Sequence, residues 1–165
     1  MNLEDIPSER AVLIPLRAED AEDLAGLLEE QQLREWLSVE DLDALRARFA
    51  TWESRRSPDG AETWLNWVVR ESREGRALGW VQATVFGESA SVAYALLPAE
   101  RGAGVASDAL RALTRWLHDQ LGVMTLTAEI DDANAPSVRV AVAAGFERTA
   151  RRAGDEVVWE RRLSR

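Results

Sequence analysis

The sequence contains no cysteine and no lysine, and its only histidine is His118. Without cysteine, the chain can form no disulfide, no catalytic thiolate and no cysteine-ligated zinc site. A single histidine does not supply the ligands of a histidine-rich metal site, so we expect no bound metal and a surface position for His118. The P-loop of nucleoside triphosphatases is excluded as well, because its motif requires a lysine.

Long apolar runs are also missing. No segment approaches the roughly 20 apolar residues that cross a bilayer, and the opening residues, MNLEDIPSER, are too acidic for a signal peptide. The 20 basic and 29 acidic residues give a net charge of -9, the wrong sign for a general binder of nucleic acid or anionic membranes. We therefore expect a cytoplasmic protein with no nucleic-acid or membrane partner. A cationic or amine-bearing partner suits this charge better.

The composition is that of a soluble globular protein. A length of 165 residues, 46% of them hydrophobic and 30% charged, predicts one domain over residues 1–165. Tryptophan is unusually frequent, with seven residues, and four of them (Trp36, Trp52, Trp64 and Trp67) fall in the first 70 positions. Core packing and a ring-lined pocket both account for such tryptophans, and the sequence leaves the choice open.

The N-terminal half predicts a strand, two helices and three further strands. Residues 10–17 form a short apolar run, and from Asp20 the leucines recur at three- and four-residue steps, which predicts an amphipathic helix broken once. Ser38, with Asp41 three residues later, indicates the start of a second helix. Three short apolar runs with tight connections then predict an antiparallel meander between residues 63 and 97.

The C-terminal half begins with the best-marked helix of the chain, which follows Pro98 and ends at Gly122. Residues 123–131 then alternate apolar with polar side chains, as in a strand with one exposed face, and Glu129 lies on that polar face. A short helix over residues 136–144 and two strands around Gly154 complete the pattern.

The segment from Arg101 to Ala106 carries the clearest chemical signal. Its small residues let main-chain N–H groups approach a ligand closely, and it runs directly into a helix, whose first N–H groups are unpaired and carry partial positive charge. Such a segment can hold a diphosphate. A tight glycine-rich turn with no ligand has the same pattern. The dinucleotide fingerprint does not fit, because its third glycine is missing.

The order and spacing of several motifs over residues 88–150 resemble the GCN5-related N-acetyltransferases. Arg101-x-x-Gly104-x-Ala106 matches the phosphate loop of that family, and Asn134-x-x-Ser137, followed by Gly145-Phe146, is similar to the RimJ/RimL-type branch. That branch acetylates protein N-termini and other amines. The N-terminal half matches only in the order of its elements.

The resemblance implies an α/β (α+β) fold with a mixed, mostly antiparallel sheet, flanked by helices and splayed between two central strands at an acetyl-CoA site. It also implies a bacterial N-acetyltransferase, monomeric or homodimeric, which moves an acetyl group directly from acetyl-CoA to a primary amine of a small molecule or peptide. By the same resemblance, the cofactor-binding residues are Leu96, Leu97, Arg101, Gly102, Ala103, Gly104, Val105, Ala106, Asn134 and Ser137.

The expected catalytic residues are Glu129 and Ser137. Glu129 stands five residues before Asn134, where a related acetyltransferase pattern carries the general base; a solvated surface acid is the alternative. The family's usual tyrosine acid is replaced by Ala141, and we expect the only tyrosine, Tyr94, in the core. Ser137 is therefore the candidate acid for the leaving thiolate, and the main-chain N–H of Leu97 the candidate donor to the thioester carbonyl.

Two questions stay open at this stage. Asn134 can cap the helix at Pro136 without touching a cofactor, and Ser137 can satisfy main-chain groups in its first turn. An acyl-CoA-binding sensor or scaffold with weak catalysis is the alternative function. We expect the acceptor site beside the two N-terminal helices, near the four early tryptophans and the acidic residues Glu35 and Glu40.

Overall fold

The computed structural model describes residues 2–165. Within these residues the strands are β1 (Ile6–Pro7), β2 (Val12–Pro15), β3 (Thr63–Arg70), β4 (Ala77–Phe86), β5 (Ser89–Leu96), β6 (Thr125–Ile130), β7 (Glu147–Ala153) and β8 (Glu156–Arg162). The α-helices are α1 (Gln31–Leu37), α2 (Leu42–Trp52), α3 (Val105–Leu121) and α4 (Ala135–Ala143). No helix of this part of the chain combines the length and apolar character that a membrane crossing requires.

All strands join one sheet in the order β1-β2-β3-β4-β5-β6-β8-β7. Neighbouring strands run antiparallel except β5 and β6, which are parallel. The parallel pair is short: it joins residues 89–91 to residues 125–127, and the two strands separate beyond Ser91 and Thr127. The predicted fold class, a mixed and mostly antiparallel sheet flanked by helices and splayed in the middle, is confirmed.

Each face of the sheet buries its own hydrophobic core. Helices α3 and α4 cover one face, where Trp67 is fully buried and packs edge-on against Trp116, with 5.2 Å between ring centroids. Helices α1 and α2 cover the other, around Phe49 and Trp80. Burying an aromatic side chain of this size stabilises a fold by roughly 1.5–3 kcal/mol. Trp67 is therefore a core residue, which decides for core packing and excludes it from the lining of an acceptor pocket.

The start of the chain differs most from the prediction. The leucine-rich stripe after Asp20 forms two 3₁₀ turns, Ala18–Ala21 and Ala25–Glu29, before α1 begins. The N-cap of α2 is Asp41, whose carboxylate accepts a hydrogen bond from the Ala44 N–H at 2.8 Å. Ser38 instead ends α1 in a left-handed conformation, with a φ of 57°.

The prediction was most accurate for α3, which ends at Gly122 as expected. Its apolar face supplies much of the core on that side of the sheet, because Ala109, Leu113 and Leu117 are completely buried. His118, near its C-terminus, is half-buried rather than exposed, and its Nδ1 lies 2.9 Å from the carbonyl oxygen of Val123.

Candidate active site

The separation of β5 from β6 leaves main-chain groups without a strand partner. The N–H of Leu97 donates to the carbonyl oxygen of Leu78 on β4 at 2.9 Å. Main-chain groups point to alternate sides along a strand, so those of Tyr94 and Leu96 point away from β4 and into the gap. On β6 the N–H of Thr125 faces β5, and the same alternation directs the main chain of Glu129 into the gap.

This geometry changes the role expected for Leu97. Its N–H is already occupied by Leu78, so it is not available to polarise a thioester carbonyl. The N–H of Leu96 faces the gap in its place, while the carbonyl oxygen of Leu96 accepts a hydrogen bond from Arg101 Nη2 at 3.2 Å.

The glycine-rich loop lies between the end of β5 and the start of α3. Gly102 and Gly104 adopt φ values of 87° and 80°, in the left-handed region that side chains disfavour. Gly104 is the N-cap of α3, and the first hydrogen bond of the helix is the one that its carbonyl oxygen accepts from the N–H of Asp108. The earlier N–H groups of α3 are therefore free, and the absence of a side chain at Gly104 leaves them accessible to an anion.

The side chains of this loop contribute less than its main chain. Val105 and Ala106 are buried in the core, so only their N–H groups can contact a ligand. Arg101 is bound elsewhere: its guanidinium pairs with Glu30, at the N-cap of α1, as well as with the carbonyl oxygen of Leu96. The structure therefore ties Arg101 to the N-terminal segment.

The first turn of α4 brings three polar residues together beside β5. The side-chain oxygen of Asn134 accepts a hydrogen bond from the Ser137 N–H at 3.3 Å, so Asn134 does cap the helix. The hydroxyl of Ser137 is half-buried and has no hydrogen-bond partner among residues 2–165. Tyr94 is only partly a core residue, since its hydroxyl donates to the carbonyl oxygen of Ser137 at 3.4 Å. Burial raises the pKa of the Tyr94 phenol, which keeps it protonated. Ala141, one turn later, is buried.

Three carboxylates lie near one another at the far end of β6 and the near end of β8. Glu129 is exposed and pairs with Val158 across the two strands. Burial raises the pKa of Glu156, and the negative charges of Glu129 and Asp131 raise it further. Glu156 is a site residue that the sequence alone did not indicate. The only available signal was its alternation with Val157 in β8, which puts Glu156 and Val158 on one face of the sheet.

The face of the sheet that carries Glu129 also carries the tryptophans near α1 and α2. Trp36 is 51% exposed, and its ring lies 5.4 Å from that of Trp80, which stacks on Trp52 at 5.3 Å. Trp64 lies on the same face, half-buried, with its indole N–H donating to Glu62 at 3.1 Å.

The acidic residues Glu35 and Glu40, beside these tryptophans, are both exposed. The face of the sheet on which the acceptor is expected thus carries these two acids and three of the four tryptophans, and its role as the acceptor site stays a prediction.

Comparisons with known proteins agree with this architecture. Residues 10–147 match a family model described as an acetyltransferase (GNAT) domain, whereas no curated protein matches the sequence. A structure described as a ribosomal-protein-serine acetyltransferase from Vibrio cholerae has a TM-score of 0.77 at 21% identity, over 97% of this chain and 98% of that one.

Two further structures are similar at lower identity. RimJ from Mycobacterium smegmatis, in complex with CoA-disulfide, has a TM-score of 0.76 at 14% identity, over 96% of this chain and 87% of that one. The aminoglycoside acetyltransferase AAC(6')-Ib, in complex with coenzyme A, has a TM-score of 0.72 at 16% identity, over 91% and 93% of the two chains. At these identities the likeness concerns the fold.

Proposed function

Since this chain belongs to the acetyltransferase (GNAT) family, whose co-substrate is acetyl-CoA, we propose that it transfers the acetyl group directly to a primary amine on a protein N-terminus or a small molecule. One observation carries the proposal. The parallel pairing of β5 and β6 stops after three residues, and the opened edge of β5 leads into the glycine loop and the N-terminus of α3.

The residues of the gap and the loop fit the two ends of such a co-substrate. The main-chain groups of Tyr94 and Leu96 have no strand partner on the open side, so an extended pantetheine arm can bind there as an added strand. The N–H groups from Gly102 to Ala106 suit the diphosphate, and a Cβ atom at Gly102 would meet open space. Bound there, acetyl-CoA supplies an activated acyl thioester.

On the acceptor side, Glu129 is the proposed general base. An ammonium group must lose a proton before its nitrogen can attack, and a carboxylate at the gap can accept that proton directly or through water. Asp131 lies near Glu129 and adds negative charge there; burial raises the pKa of Glu156, and the charges of these two acids raise it further. The same charges favour the approach of a cationic amine.

On the leaving-group side, Ser137 is the proposed proton donor to the thiolate. Its hydroxyl makes no hydrogen bond to residues 2–165 and lies in the first turn of α4, next to the gap. Asn134 is the proposed contact to the pantetheine end, because its amide nitrogen is not needed for the cap that its oxygen makes. The N–H of Leu96 is the proposed donor to the thioester carbonyl.

An activity assay tests the proposal. The protein is incubated with acetyl-CoA and a panel of amines, namely peptides with free N-termini, diamines and aminoglycosides; thiol release is followed and each product is weighed by mass spectrometry. We expect an amine-dependent release of CoA matched by a mass increase of one acetyl group. Binding of acetyl-CoA with no acetylated product from any of these amines would count against the proposal and favour a binding module.

The variant Glu129→Gln tests the proposed base in the same assay. The substitution keeps the size of the side chain and removes its basicity, so turnover should fall about 10²- to 10⁴-fold while acetyl-CoA affinity stays nearly unchanged. Glu74→Gln, at an exposed position in the turn between β3 and β4, is the matched control and should be fully active. Unchanged turnover of Glu129→Gln from pH 6 to 9 would exclude Glu129 as the base.

A further inference from the structure

Arg10 lies against the glycine loop although it is distant from it in sequence. A Cβ atom at Gly104 would lie 3.6 Å from Arg10 Nε and 3.8 Å from Arg10 Cζ. The guanidinium therefore borders the N-cap of α3, where the free N–H groups of the helix begin.

The main chain of Arg10 is held in this place by α3 itself. The carboxylate of Asp108 is almost completely buried and accepts two hydrogen bonds, from the N–H of Glu9 at 3.2 Å and from that of Arg10 at 2.9 Å. The turn is closed on its other side by the Ser8 N–H, which donates to the carbonyl oxygen of Ala11 at 2.9 Å. The link between β1 and β2 is thus fixed to the first turns of α3.

The side chain of Arg10, in contrast, has no protein partner. It is exposed, and within residues 2–165 its guanidinium makes no hydrogen bond or ion pair. The other arginine of this region, Arg101, is engaged by Glu30 and by the carbonyl oxygen of Leu96. In a chain of net charge -9, an arginine positioned by a buried carboxylate and left unpaired beside a cluster of N–H donors is suited to an external anion.

We propose that Arg10 binds the diphosphate of the co-substrate, and that Asp108 positions it to do so. The proposal rests on the proposed function, because it takes the glycine loop as the diphosphate site. It adds a second cation beside the loop, whose own arginine, Arg101, is paired with Glu30. A guanidinium can form two parallel hydrogen bonds to phosphate oxygens. It also carries a full positive charge, which main-chain N–H groups do not, and so neutralises part of the charge of the diphosphate.

Calorimetric titration with CoA and with dephospho-CoA tests the assignment. Arg10→Met keeps the length of the side chain and removes the charge. It should lower the affinity for both ligands by a similar factor of about ten, because both contain the diphosphate. Arg115→Met is the control: it removes the same charge from an exposed position on α3, roughly 15 Å further along the helix, and should bind like the wild type. The thermal unfolding of Arg10→Met without ligand should be unchanged, since the guanidinium has no protein partner.

Equal affinity of Arg10→Met and wild type for CoA would overturn the inference. A loss confined to CoA would also overturn it, because the contact would then be to the 3′-phosphate. If the wild type itself bound neither ligand, the proposed function would have failed, which separates that failure from a failure at Arg10.

Discussion

At the scale of single residues, two hydroxyl groups meet at the first turn of α4. The Ser137 hydroxyl has no partner among residues 2–165, whereas the Tyr94 hydroxyl already donates to the Ser137 carbonyl oxygen. If Ser137 protonates the thiolate, Ser137→Ala should lower kcat about tenfold, equivalent to roughly 1.4 kcal/mol of barrier, since a CoA thiolate leaves reasonably well unaided. Tyr94→Phe, which keeps the ring, should change kcat by less than about twofold.

Steady-state kinetics at saturating amine distinguish the possible outcomes. A larger loss in Tyr94→Phe than in Ser137→Ala would make the tyrosine the proton donor. If Ser137→Ala raised only the KM for acetyl-CoA, its hydroxyl would be a binding contact. Asn134→Ala is expected to act in that second way, because a contact made equally to substrate and transition state affects KM and leaves kcat alone.

Ionisation of two glutamates on β8 should affect the stability of the fold in opposite directions. Burial, with the charges of Glu129 and Asp131, raises the pKa of Glu156 above its ordinary value of 4.5. The folded state therefore binds the proton of the Glu156 carboxyl more tightly than the unfolded chain does. The contribution of Glu156 to the stability of the fold is present at acid pH and is lost as the pH rises through the folded pKa. The pKa of Glu160 is instead lowered, by hydrogen bonds and charges of Arg162 and Arg151, so its contribution is present at neutral pH and lost on acidification.

Thermal unfolding measured across pH checks both signs. At pH 7, Glu156→Gln should melt at a higher temperature than the wild type, and Glu160→Gln at a lower one. The increase for Glu156→Gln should disappear near pH 4, where the wild-type carboxyl is also neutral. A Glu156→Gln protein that melts below the wild type at pH 7 would contradict the argument.

At the scale of elements, the glycine loop before α3 should be the most sensitive to substitution, because a side chain there would occupy the proposed diphosphate site. Gly104→Glu places a negative carboxylate where the diphosphate is expected and should abolish measurable acetyl-CoA binding. Gly87→Glu, in the hairpin between β4 and β5, is the matched control, because Gly87 has a similar left-handed φ of 60° and open space around it. The backbone strain is then comparable, and only the position of the charge differs. Calorimetry that gave both folded variants the same affinity would refute the assignment of the loop.

The elements that could be predicted are those whose pattern is local. Helix α3 was identified from the spacing of its apolar face and from Gly122, and the meander from its short connections. Strand β1 could not be predicted, because its two residues, Ile6–Pro7, are too few to show a periodicity. They form a strand only through their pairing with β2. The stripe after Asp20 has helical spacing, yet its first part forms 3₁₀ turns, which pack against α2 and the sheet.

The same distinction applies to the candidate site. The glycine loop, Asn134 and Ser137 lie within short motifs that resemble a known family, so their positions could be proposed from the sequence. Glu156 and Arg10 could not, because each depends on tertiary placement: Glu156 on the register of β8 beside β6, and Arg10 on the hydrogen bonds that its turn makes to Asp108. The occupied N–H of Leu97 likewise follows from the register of β4 and β5 and from no local signal.

At the scale of the whole molecule, charge is distributed unevenly along the chain. Residues 139–165 contain seven arginines and four acidic residues, so this segment has a positive net charge. The net negative charge of the chain therefore comes entirely from residues 1–138. The open face beside α1 and α2 belongs mostly to this acidic part, and Glu129 and Asp131 extend it to the gap. The arginines of β7 and β8 lie at one edge of the sheet, where Arg148, Arg151 and Arg162 pair with neighbouring acids.

This distribution predicts which acceptors the enzyme prefers and how salt affects them. Tripeptides Ala-Arg-Arg, Ala-Gln-Gln and Ala-Glu-Glu present the same N-terminal amine with different charge. At low ionic strength, kcat/KM should be highest for the arginine peptide, because the acidic face attracts it. Raising NaCl from 0.05 to 0.5 M shortens the Debye length to roughly 4 Å, so this preference should largely disappear while the rate with Ala-Gln-Gln changes little. A preference for Ala-Glu-Glu that weakens with salt would instead show that the arginines of β7 and β8 guide the acceptor.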